Sequence, residues 1–200
     1  VESLEIGDRG GLIPNFNLIA TTNRREESWG CTELWMLLRD IEDPKPIVDR
    51  SSIYGLIAAR TNLNPMEAIG KLREELGRRP EAFRHLIRVM PVETVVPSEI
   101  ERIKEAVQSL SERVGEGESF RITVEKRRTP LRSKEIIEAV AEGINRGVDL
   151  ENPDWVILIE VIGKYTGISV IRPSEILNTV KERVATDEQR EGQTSPREEA

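Results

Sequence analysis

Cysteine and histidine are almost missing: the 200 residues contain one of each, Cys31 and His85. A lone cysteine closes no internal disulfide, and a single imidazole leaves no CxxC, HExxH or zinc-finger spacing. No metal site and no cofactor are therefore expected. Nucleophilic catalysis of the Ser-His-Asp or Cys-His kind would have to recruit His85, which stands among Phe83, Arg84, Leu86 and Ile87 at the start of an apolar run. His85 reads as a structural or boundary residue and Cys31 as a packed small hydrophobe. Aromatic residues are scarce too, at 4%. No apolar run approaches the roughly 20 residues of a membrane-spanning helix, and the start VESLEIGDRGG has no basic stretch followed by a hydrophobic one. A soluble, cytoplasmic protein without membrane contact is the expectation.

What is present is enough for a folded body. Hydrophobic residues at 38% and charged residues at 32% lie away from the disordered limit, and the length suits one large or two small domains. Two glycine-containing segments resemble phosphate loops and fail as such. Gly115-Glu116-Gly117 lacks a third glycine and follows a helix, and Gly163-Lys164 has Leu158 at the first-glycine position and Tyr165 where Ser or Thr is needed. Carboxylates are plentiful, yet pairs such as Glu74 and Glu75 or Glu138 and Glu142 fall on polar helix faces, where they only meet solvent.

The pattern of periodicities predicts an α/β (α+β) chain with two units. After a flexible arm over 1–14, the run Phe16–Thr22 reads as a strand, and Cys31, Leu34, Leu37, Leu38 and Ile41 recur at helical spacing until Pro44 and Pro46 stop them. Trp29 and Trp35 flank that stripe as core or rim residues. Ile53–Ala59 reads as a second strand, and Asn64-Pro65 starts a helix with Met66, Ile69, Leu72 and Leu76 inward. With a third apolar run at Leu86–Val92, this order has the habit of a ferredoxin-like domain, placed at 15–85. The second unit, placed at 86–178, opens with a capping box of Ser98 and Glu101 before Ile100, Ile103, Val107, Leu110 and Val114. Phe120, Ile122 and Val124 alternate as in a half-buried strand. Ser133 is the expected cap of a helix carrying Ile136, Ile137, Val140 and Ile144, and Trp155–Ile162 reads as a central strand covered on both faces. A last strand follows at Ile168–Ile171. Residues 179–200 are expected to hold a short helix end near Val184 and a disordered polar tail.

The net charge of −7 argues against nucleic acid until it is divided along the chain. Residues 120–134 hold six basic residues and one acid. Lys126, Arg127 and Arg128 end a strand, and Arg132 and Lys134 open a helix, whose N-terminal N–H groups favour anions at the same place. That rim suits phosphates, with Arg24, Arg25 and Arg172 at comparable junctions as possible extensions.

The segments Arg88–Glu93, Phe120–Ile122, Lys126–Arg128, Leu131–Ile137, Val148–Asp154, Ile159–Val161 and Gly167–Val170, in this order and spacing, resemble a THUMP domain over 86–178. The preceding unit is similar to the N-terminal ferredoxin-like domain that accompanies THUMP domains in RNA-modification proteins. With no methyltransferase, thiouridine-synthase or deaminase domain following, the chain looks most like the stand-alone tRNA acetylation adaptors. That resemblance implies a non-catalytic tRNA-binding protein that presents tRNA to a separate tRNA-modifying enzyme, an acetyltransferase, during N4-acetylcytidine formation. It carries RNA contacts onto Lys126, Arg127, Arg128, Arg132 and Lys134, and onto Arg88 and Arg172. Two other readings stay open: an RNA-modifying enzyme subunit with a concealed cofactor pocket, and a ligand-sensing regulatory module.

Overall fold

The computed structural model describes residues 15–184. The expected arm at 1–14 and the tail from 185 lie outside the described residues. Strand β1 (Leu18–Thr22) is apolar on both faces, and both are used: Leu18 and Ala20 point into one core, Ile19 into another. Helix α1 (Glu27–Asp40) follows, then β2 (Ile47–Arg50) and β3 (Leu56–Arg60), whose side chains alternate in the same way. Helix α2 (Pro65–Arg78) is capped as its sequence predicts. The Asn64 side chain accepts from the N–H groups of Met66 and Glu67 at 3.0 and 3.2 Å, and Pro65 takes the first helical position. Strand β4 (Leu86–Pro91) then pairs antiparallel with β1, so that residues 18–91 run β-α-β-β-α-β, the ferredoxin-like order. Both helices cover one face, through Leu34, Leu37, Leu38, Ile69, Leu72 and Leu76. Each of these leucines and isoleucines is almost wholly buried, so truncating one to alanine costs about 2–5 kcal/mol.

The second unit adds β5 (Thr94–Pro97), α3 (Ile100–Ser111), β6 (Ser119–Arg127), α4 (Ser133–Ala141), β7 (Gly147–Val148), β8 (Trp155–Ile162) and β9 (Tyr165–Ile171). Its sheet has the order β5-β9-β8-β6-β7, with β6 parallel to β7 and β8. On β8, Ile157, Ile159 and Val161 meet α3 and α4, while Val156, Leu158 and Ile162 meet the bare face of the first sheet. The central strand is covered on both faces as its sequence implies, and one cover is the other sheet. The layers therefore run helix, sheet, sheet, helix. Gly167 makes the close approach possible, because a Cβ there would lie 3.0 Å from the Phe16 ring and 3.1 Å from Val92.

The crossing between units is fixed by hydrogen bonds. The Ser169 hydroxyl donates to the Pro91 carbonyl at 2.7 Å, the Val170 N–H donates to Glu93 at 2.8 Å, and Arg113 pairs with Glu93 at 2.6 Å. The chain then returns to the first sheet. Strand β10 (Leu177–Asn178) pairs with Val89 and Arg88 of β4, giving the order β10-β4-β1-β3-β2. A helical stretch at 179–184 follows, and Arg73 of α2 holds both Glu182, at 2.7 Å, and the Ile176 carbonyl, at 3.0 Å. The boundaries expected at 85/86 and 178 thus cut across the sheets: β4 and β10 both belong to the first one.

Several local expectations change. Ser98 caps nothing: its hydroxyl meets that of Thr166 at 2.9 Å, and α3 begins after Glu99 without a side-chain cap. Ser133 is the first residue of α4, not its cap. Ile137, expected inward, is 37% exposed. Strands β2 and β5 were hidden because each is four residues long and flanked or ended by proline, which reads as a break.

Candidate nucleic-acid interface

Alternation along β6 divides the basic cluster. Phe120, Ile122 and Val124 face α3 and α4, which puts Lys126 on the helix side and Arg127 on the side of the first sheet. There Arg127 meets Glu160 of β8 at 2.7 Å, and the Glu160 side chain is 2% exposed. Burial pushes the Glu160 carboxyl above the usual range even though Arg127 and, more weakly, Arg88 pull it down. Arg88 itself is half-buried on β4, with a buried Nε that has no hydrogen-bond partner among the described residues. Of the residues expected at the RNA surface, Arg127 and Arg88 thus lie beside the buried Glu160, Arg127 with its side chain 26% exposed.

Beyond Arg127 the strand stops and the backbone turns through Arg128 in the left-handed region, φ 52°. For a non-glycine residue this conformation costs roughly 1–2 kcal/mol. Lys126 and Arg128 are exposed and make no ion pair among the described residues. Arg132 and Lys134 are 81% and 84% exposed, with only loose contacts of 3.8 and 3.6 Å to Glu135 and Glu138. Since α4 has no side-chain cap, its first N–H groups stay open to an anion beside these cations.

Arg128 also reaches the first unit. It lines a cleft of about 220 Å³ with Glu27, Asp49, Arg50, Ser51, Ser52, Ile53 and Tyr54. The wall is built on the turn between β2 and β3 and on the start of α1. Glu27 accepts from the N–H groups of Gly55 at 2.6 Å and Arg25 at 3.1 Å, which holds its carboxyl below the usual range against the opposing effect of burial. Gly55 (φ 75°) and Arg25 (φ 75°) both take left-handed backbone at this corner, and Arg24 and Arg25 stand exposed beside it. Sequence reasoning missed Arg50 and Tyr54. Reading Ile53–Ala59 as strand buried Tyr54 in it, whereas β3 starts at Leu56 and the Tyr54 ring is 74% exposed. The signal was the polar-to-glycine stretch Arg50-Ser51-Ser52-Ile53-Tyr54-Gly55, a turn sequence.

Arg172 lies elsewhere. It follows β9 at the end of the sheet where β8 begins, about 23 Å along the strand from Ile162. Its guanidinium stacks 3.8 Å from the Trp155 ring and bonds Glu118 at 2.6 Å, while the Trp155 indole N–H donates to Glu118 at 2.7 Å. Those donors, with the Gly115 N–H, lower the Glu118 carboxyl to about 2. His85 does have a structural setting: Nδ1 is 3.2 Å from Glu26, and its ring stacks on Trp29. Trp29 is 66% exposed and so lies outside the core. Cys31 packs against the first core, and burial pushes its thiol up to about 12, an unreactive state. Among the described residues no group of three or more His, Cys, Asp or Glu is placed to hold a metal ion, and no helix is long and apolar enough to cross a membrane.

Residues 97–171 match the THUMP domain family. No curated protein matches the chain. Among solved structures it is similar to PH1313 from Pyrococcus horikoshii Ot3, with 24% identity and a TM-score of 0.55 over 79% of this chain and 55% of that one. It is also similar to TrmN from Thermus thermophilus, with 19% identity and a TM-score of 0.52 over 80% of this chain and 47% of that one. The chain spans about half the length of either protein, and at these identities the likeness is one of fold.

Proposed function

We propose that residues 15–184 form a tRNA-binding body that presents tRNA to the active site of a tRNA-modifying enzyme. The observation that carries this reading is the group of exposed cations, Lys126 and Arg128 without an ion pair among the described residues and Arg132 and Lys134 with loose ones, at the open N-terminus of α4 inside the THUMP match. Phosphates supply the charge that these side chains lack within the protein, and Arg24, Arg25 and Arg50 continue the surface onto the first unit. The finer reading follows the family resemblance in the sequence: the modification is N4-acetylcytidine and the active site belongs to a separate acetyltransferase. A second reading is favoured by the length of PH1313 and TrmN, each about twice what this chain covers. In it the active site sits on a further domain of the same polypeptide.

Two measurements test this. Binding of unfractionated tRNA by the protein should weaken steeply with salt and fall when Lys126, Arg128, Arg132 and Lys134 are changed to alanine; equal affinities would remove the proposed site. Nucleoside analysis of tRNA from cells lacking the protein should show loss of N4-acetylcytidine. Loss of a different nucleoside keeps the tRNA-binding role and replaces acetylation.

A further inference from the structure

We propose that the outer edge of β6, from Ile122 to Lys126, takes an extended segment of a partner protein as an added strand of the second sheet, a segment in which apolar and acidic side chains alternate. The proposal does not depend on the tRNA-binding reading.

The open backbone is the first argument. Strand β7 covers β6 only at Ser119 and Phe120, and β6 runs on to Arg127. The Asp149 N–H donates to the Phe120 carbonyl at 3.1 Å, on the outer side, whereas the Arg127 carbonyl accepts from Gly163 at 2.9 Å, on the side of β8. Backbone groups alternate between the two sides of a strand, so those of Ile122, Val124 and Lys126 point outward with Phe120's. None of them has a hydrogen-bond partner among the described residues. Proline or a bulge would blunt such an edge, but residues 121–127 contain no proline and pair with β8 without a register shift. The free stretch is about 16 Å long, room for a strand of about five residues.

The flanks decide what that strand carries. On the helix side, Val148 is 64% exposed and shares the face of Phe120, with which it pairs. Glu142 and Gly143, just past α4, meet Lys104 and Gln108 of α3. Ile137, roughly 140° around the helix from Glu142, is therefore turned from α3 toward the open edge, and it is 37% exposed. Val148 and Ile137 make an apolar lip over the slot. On the opposite face Arg121 bonds the Leu150 carbonyl at 3.1 Å, while its buried Nε has no hydrogen-bond partner among the described residues. Lys126, exposed at the far end, makes no ion pair among them. Apolar side chains fit the lip, and carboxylates between them meet the two cations.

A second copy of this chain fits less well. Its β6, laid antiparallel along the same stretch, brings Arg121 opposite Arg127 and Ile122 opposite Lys126. The first pairing sets like charges together, and the second sets a cation against an apolar side chain.

The probe is a fluorescent, end-blocked peptide of three Glu-Val repeats. The protein should bind it about tenfold more tightly than Lys-Val or Glu-Ser peptides of equal length, because lysine repels Arg121 and serine gives up the lip. N-methylation of alternate peptide amides should abolish binding in the frame that faces β6 and spare it in the other. In hydrogen exchange followed by NMR, the amides of Ile122, Val124 and Lys126 should exchange fast in the protein alone and slow when the Glu-Val peptide is added. Val148→Glu should weaken the peptide about tenfold with melting temperature unchanged, and Val148→Leu should retain binding. Absence of Glu-Val binding, equal binding of the Glu-Ser peptide, amides that stay unprotected, or full affinity in Val148→Glu overturns the proposal. Protection that grows with protein concentration in the absence of peptide gives the edge to a second copy and overturns it too.

Discussion

Arg128 and Arg172 close opposite ends of the second sheet, one just past the half-buried strand β6 and the other just past the buried strand β9. Arg172 is consumed by the protein: a ring below it and a carboxylate beside it satisfy the guanidinium, and the Trp155 indole locks the same carboxylate. Arg128 has a left-handed backbone, an exposed side chain and a cleft in front of it. An arginine at a strand end is therefore not a binding residue by position. What separates the two is whether the fold supplies an acceptor, and at the β6 end it does so for Arg127 and not for its neighbour.

The largest effect that would sharpen this contrast belongs to Arg127. Arg127→Ala leaves Glu160 buried without its partner and should cost about 3 kcal/mol by chemical denaturation, the low end for a broken buried pair because Arg127 is 26% exposed. A loss below about 1 kcal/mol would put Arg127 back among the surface cations. Next comes the fourfold alanine change at Lys126, Arg128, Arg132 and Lys134. It should lower tRNA affinity on the order of 100-fold and flatten the logarithmic salt dependence by about 3, with stability nearly unchanged. Arg172→Ala should do the reverse, removing about 1 kcal/mol of stability at a side chain that is 42% exposed while tRNA affinity stays within about twofold. A tenfold loss of affinity there would erase the distinction between the two ends.

The smallest effect is a pH dependence. The folded Glu118 carboxyl is lowered from an ordinary 4.5 to about 2, so its ionised form stabilises the fold above about 4.5 and that contribution is lost as pH falls toward 2. Glu118→Gln should therefore melt below wild type at neutral pH, and the gap in melting temperature should close between pH 4.5 and pH 2. A gap constant across that window would show that the carboxylate form is not what holds Arg172 and Trp155.

The strands and helices with a buried face were legible, because burial imposes a period: α1 shows its stripe, β6 its alternation and β8 an apolar run broken by one acid. Short edge strands carry too few residues to show a period, so β2 and β5 stayed hidden. The basic cluster was legible as charge, but its division was only implicit. Parity along β6 separates Lys126 from Arg127, and the single acid in WVILIEVI marks Glu160 as a buried group in need of a cation. The cleft around Tyr54 was out of reach because it joins residues 50–54 to residue 128, a contact that depends on how the two sheets stack.

The return of β10 to the first sheet sets an order of events on the ribosome. Strands β1 to β4 emerge first, but the strand that covers the edge of β4 and brings Leu177 into the core is 86 residues behind Pro91. At translation speeds of about 5–20 residues per second, that is a wait of roughly 4–17 s. During it the nascent first unit presents an unpaired β4 edge, and the second sheet, completed before β10 appears, is the surface available to shield its bare face. The two units thus mature as one piece, with the last of the described strands serving the first sheet begun.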